Sequence, residues 1–122
     1  MNKVRVILLD GNKAKAVYID KDNGIEEVRK LLNTKSSLGY HSFGDGYATL
    51  GEVYIMFWQT ERKEKTSMEI TTKAGAVYPI FIDSKVVIVS EDLSKDDLVD
   101  INIDNVKTHF NTNNAYWSLI RN

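Results

Sequence analysis

The stretch Lys3-Val4-Arg5-Val6-Ile7-Leu8-Leu9-Asp10-Gly11-Asn12-Lys13-Ala14-Lys15-Ala16-Val17-Tyr18-Ile19 reads as two β-strands around a tight turn. Strand-forming residues dominate both arms, and Asp10-Gly11-Asn12 supplies the positive φ angles that a short hairpin connection needs. The first two strands are therefore expected to be antiparallel neighbours. A mainly antiparallel sheet is then the frame into which the rest of the chain must fit.

Downstream, Asp20-Lys21-Asp22-Asn23-Gly24 is a polar turn. After it Ile25, Val28, Leu31 and Leu32 fall on one helical face, with Glu26, Glu27, Arg29 and Lys30 turned outward. Asp22 or Asn23 is the expected cap, the two glutamates stand where the helix dipole favours them, and Asn33 suits the exit. Residues 34–46 lack periodicity and read as a loop, long enough to suggest a functional one. Val53-Tyr54-Ile55-Met56-Phe57-Trp58 is apolar on both faces, as expected of a central strand.

Residues 60–65 read as a solvated hairpin tip, from which residues 68–72 return with clean alternation. Residues 77–82 and 86–90 read as a second apolar strand pair, with Pro79 placing its strand at an edge or bulge. Ser94, with Asp97 three residues on, signals a helix start, and the apolar positions from Leu98 to Phe110 predict one broken helix or two short ones. The expected fold class is thus α+β. It is a mainly antiparallel β-sheet opening with a β-hairpin, packed by a short N-terminal helix and one or two C-terminal helices.

Composition narrows the function classes. A chain of 122 residues without an internal repeat or linker is expected to form a single domain over residues 1–122. The absence of Cys removes disulfides, thiolate metal ligands and thiol nucleophiles, and fits a reducing cytoplasm. No apolar run has the form of a signal peptide or the length of a membrane helix. A net charge of −1 gives no general attraction to nucleic-acid polymers or anionic membranes, and the basic cluster Arg62, Lys63 and Lys65 is offset by Glu61 and Glu64. The richness in Lys, Asn, Asp and Ile is that of an AT-rich genome, such as a low-GC bacterium or its phage.

Catalytic and metal motifs fail one after another. His41 and His109 stand alone, without metal-ligand spacing or a nucleophile elbow beside them. Asp20 and Asp22 begin a calcium-loop spacing, but Gly24 falls one place early and Leu31 stands where the bidentate Glu belongs. Gly44-Asp45-Gly46 lacks the third Gly and the following helix of a dinucleotide site. It could still belong to a loop that closes Tyr40, His41 and Tyr47 over a ligand. No metal and no cofactor is expected.

The C-terminal stretch concentrates recognition chemistry. His109, Phe110, Asn113, Asn114, Tyr116, Trp117 and Arg121 bring flat rings and directional hydrogen-bonding groups together. Such residue types dominate binding hot spots and stack on bases. The competing reading is that Phe110, Trp117, Leu119 and Ile120 dock the terminus on the sheet or on a second subunit.

The opening hairpin, short helix and following sheet, with no Cys and an AT-rich composition, resemble small phage or prophage accessory proteins over about the first ninety residues. Among these are the anti-Thoeris sponges, and the resemblance implies anti-defence by sequestration of a nucleotide signal. It transfers no residue roles. The expectation is a non-catalytic, cytoplasmic binding protein of a bacterial host, forming a homodimer or higher homo-oligomer, whose partner is a small nucleotide-like ligand or a host protein. Arg121, Asn114, Trp117, Tyr116 and His109 lead as ligand-binding residues, followed by Tyr40, His41 and Arg29. The alternatives are an interaction module that inhibits a host protein or only self-associates, and a small hydrolase with His41 or His109 as base.

Overall fold

The computed structural model describes residues 2–10, 13–35, 37–43, 49–59, 66–71, 77–82 and 85–107. Strands β1 (Lys3–Asp10) and β2 (Lys13–Asp20) form the antiparallel hairpin, in a register that pairs Asp10 with Lys13 and leaves a two-residue connection. The fold is mostly antiparallel sheet with few helices. A six-stranded sheet has the order β2-β1-β7-β4-β3, where β3 is Leu38–Phe43, β4 is Glu52–Gln59 and β7 is Lys85–Asp92. The short strand β8 (Asp97–Val99) pairs with the end of β7. Strands β5 (Thr66–Thr71) and β6 (Val77–Ile82) pair with each other in a separate two-stranded ribbon.

Helix α1 (Gly24–Leu32) connects β2 and β3, which lie at opposite ends of this strand order. It therefore carries the chain across one face of the sheet, and it meets β2, β7 and β4 on the way. Val28 and Leu32 are buried there against Val4, Val6, Leu8 and Ile19. Asn33 ends the helix with φ 53°, its N–H donating to the Lys30 carbonyl while Thr34 N–H donates to that of Arg29, a Schellman closure. The start differs from expectation. Asn23 makes no side-chain cap bond, and Asp20 instead accepts from the Asp22 N–H in a 3-10 turn over Lys21–Asn23.

The opposite face is covered by helix α2 (Ile103–Lys107) and the segment before it. Ile101, Ile103 and Val106 pack on Ile7, Leu9, Met56 and Ile88. The apolar runs 6–9 of β1 and 86–89 of β7 are thus buried on both faces.

Several expectations are corrected. Residues 34–46 are not all loop, because β3 occupies six of them and pairs with β4 from Leu38↔Gln59 to Phe43↔Tyr54. Gly39 makes that ladder possible. A Cβ there would lie 2.5 Å from Trp58 Nε1, so the indole covers the glycine of the facing strand. β4 does not pair with the strand after it, nor β6 with β7. Instead β7 enters between β1 and β4, and β5 takes β6. β4 is interior as expected, though β7 holds the middle of the order. Pro79 lies opposite Glu69 on β6, whose one partner among the described strands is β5.

The expected helix at Ser94 is absent. Asp92 accepts from both the N–H and the hydroxyl of Ser94, closing a turn that feeds β8. Beyond β8 the sheet forks. Arg5 N–H donates to Asp100 Oδ1 at 2.7 Å, Ile101 N–H donates to the Arg5 carbonyl, and the Arg5 guanidinium donates to the Ile101 carbonyl at 2.9 Å. Residues 97–101 thereby satisfy backbone groups where β1 and β7 separate.

Candidate functional site: a cleft beside the first helix

The diagonal path of α1 leaves part of its sheet face uncovered toward β4 and β3. A cleft of about 270 Å³ opens there. Its floor is Ile19, Ile55, Phe57 and Val89 from the sheet, and its walls are Gly24, Ile25 and Val28 of α1 with Leu98 of β8. The walls approach closely, since a Cβ on Gly24 would come within 3.2 Å of the Leu98 side chain. Ile25, expected in the core, is instead 48% exposed. Its apolar side chain lines the cleft because the sheet strip below it is not reached by the rest of the helix.

Among the described residues, two polar side chains line this cleft, Lys21 and Glu91. Lys21 Nζ donates to Asp97 Oδ2 at 2.6 Å, an ion pair that ties the turn before α1 to β8. The hydrogen bond from Lys21 holds the Asp97 carboxyl below its ordinary range, and the same bond raises the Lys21 ammonium. Glu91 pairs through its backbone with Val53 and Leu98, and its carboxylate has no hydrogen bond or ion pair among the described residues.

A second recess, of about 740 Å³, lies at the C-terminal end of α1, lined by Glu26, Arg29, Lys30, Asn33, Thr34 and Lys35. Arg29 donates to Glu26 at 3.0 Å, while its Nε is buried without a hydrogen-bond partner. The helix dipole favours cations at a C-terminus, where this basic set stands. Arg29 also follows Ile25 by four residues, so both occupy one flank of α1.

Of the sequence-predicted site residues, Arg29 and Tyr40 are placed on the α1 side of the sheet. Tyr40 pairs with Phe57, whose side chain packs with the α1-side cluster, and Tyr40 is 69% exposed. His41 pairs with Met56 in the β3–β4 ladder. His109, Asn114, Tyr116, Trp117 and Arg121 lie outside the described residues. Sequence reasoning missed Lys21, Ile25, Ile55, Phe57, Glu91 and Leu98 as a group, because they come from separate segments that only the sheet order brings together. The one local signal was an aromatic, Phe57, in a strand apolar on both faces.

Among the described residues no cluster of three or more His, Asp or Glu could hold a metal ion. Among them, too, no helix is long and apolar enough to cross a membrane. No family model matches the chain, and no curated protein or solved structure is found to be similar to it.

Proposed function

We propose that this chain is a non-catalytic binding protein, of phage or prophage origin, that captures a small nucleotide-like ligand stoichiometrically in the bacterial cytoplasm. The observation that carries this reading is the apolar cleft floored by Ile55 and Phe57, with exposed Tyr40 and the Arg29 flank of α1 on the same face. Apolar walls with the Phe57 ring suit a base, and a guanidinium suits a phosphate. Trp117, Arg121, Asn114, Tyr116 and His109 remain ligand candidates on their residue types alone.

A thermal-shift screen against cyclic and linear nucleotides, with native mass spectrometry on the same samples, tests the reading. Ligand at 100 times its dissociation constant stabilises the native state by about 2.7 kcal/mol, a rise of several degrees in melting temperature. The expected result is a hit whose mass is retained intact and which is lost in Ile25→Glu, a change at a half-exposed position. A converted ligand would mean an enzyme, and a flat screen would end the nucleotide reading.

A second reading, an interaction module that self-associates or binds a host protein, is favoured by one observation. β3 is the last strand of the sheet order among the described strands, and it carries Tyr40 exposed. Edge strands of this kind recruit further strands. It predicts a concentration-dependent mass that Tyr40→Lys reduces.

A further inference from the structure

We infer that the cleft reads the base of the captured nucleotide through Glu91, and that this base presents two adjacent N–H donors on one edge, as guanine does. The inference rests on the nucleotide-binding reading above and deepens it. Among the described residues the cleft offers a ligand two polar side chains, and they are not equivalent. Lys21 is the cation that would draw a phosphate inward, but Asp97 already holds it at 2.6 Å. Glu91 is the one of the two whose side chain has no hydrogen bond or ion pair among the described residues.

A carboxylate is an acceptor with two oxygens and can take a pair of parallel donors. Glu91 is partly buried in the cleft with Ile55, Val89 and Leu98, apolar side chains that supply no donor. Desolvating it further under a ligand is unfavourable unless the ligand brings donors of its own. Guanine places N1–H beside the N2 amino group, which matches the two oxygens. Adenine and cytosine set a ring nitrogen acceptor beside their amino group and would turn a lone pair toward the carboxylate. Hypoxanthine keeps N1–H and lacks the amino group.

Size points the same way. Sites for whole drug-sized ligands begin at about 300 Å³. At about 270 Å³ the cleft has room for a base between Ile25 and Phe57, with sugar and phosphate left at its mouth.

The test is isothermal titration of the full chain with guanosine, inosine and adenosine 5′-monophosphates, repeated on Glu91→Gln. Guanosine monophosphate is expected to bind tightest, with inosine monophosphate about tenfold weaker and adenosine monophosphate weaker still, the scale of hydrogen bonds to a charged group. Glu91→Gln should weaken the guanosine ligand by about 10- to 100-fold and level the series, at an unchanged melting temperature of the free protein. Equal binding of all three by the wild-type chain would overturn the inference while leaving nucleotide capture standing. So would a full preference retained in Glu91→Gln. Binding of none, with a flat wider nucleotide screen, would overturn both.

Discussion

Strands β7 and β4 lie side by side in one sheet, and both are apolar on both faces, yet they end up differently covered. In β7, Val86 to Val89 are all buried. In β4, Val53, Tyr54 and Met56 are buried, while Ile55 and Phe57, on the α1 side, are only half so. The cause is the path of α1, which crosses from the β2 edge and spends its buried residues, Val28 and Leu32, on the hairpin and β7. An apolar strand face therefore specifies an interior position in the sheet without specifying what lies over it. The uncovered remainder, Ile55 and Phe57 with Tyr40 beside them, is where a ligand has room.

That contrast can be broken most directly in the core. Ile88→Ala, at a fully buried position, should destabilise by about 2–5 kcal/mol in chemical denaturation. Ile55→Ala should lose less than half as much, because its side chain already borders open space. Equal losses would mean that the two strands are equally covered. Next in size, Gly39→Ala should cost about 1–3 kcal/mol, since the new methyl would force the Trp58 indole off β3. A neutral result would show that the flank holding β3 is slack.

The smallest effect sharpens the mouth of the cleft. Asp97→Asn removes the exposed pair with Lys21, and exposed pairs contribute little and are screened by salt. The hydrogen bond lowers the Asp97 carboxyl from its ordinary 3.8, so its contribution is present above that pH and disappears as pH falls through the lowered value. Lys21 is raised above 10.5, so its contribution is present below that pH and disappears as pH rises further. The melting-temperature difference between wild type and variant should thus be flat across neutral pH, close at both extremes, and shrink with added salt.

How far the sequence could be read follows from the range of the interactions involved. The β1–β2 hairpin was legible because a two-residue turn sets its own register, and α1 because its spacing and its Asn33 exit are local. β3 was not, since Leu38-Gly39-Tyr40-His41-Ser42-Phe43 has a weak pattern and forms through its ladder with β4. Residues 94–99 carried helix signals, but Asp92 captured Ser94 in a turn and the open side of β7 took Asp97–Val99 as a strand. The tail residues singled out for binding lie outside the described structure, whereas Arg29 and Tyr40 fall on the face that carries the cleft.

The sequence by itself determined that the apolar strand β4 is interior to the sheet, where the first turn falls, and that no thiol chemistry is available. Those properties depend on neighbours a few residues apart. The tertiary structure decided that β7 enters between β1 and β4, and so which apolar side chains meet across the sheet. It also decided that Lys21, Ile25, Phe57 and Glu91 share one cleft. Pairings over such sequence distances must repay the entropy of closing long loops, and they are selected by the packing of the whole sheet rather than by any one segment.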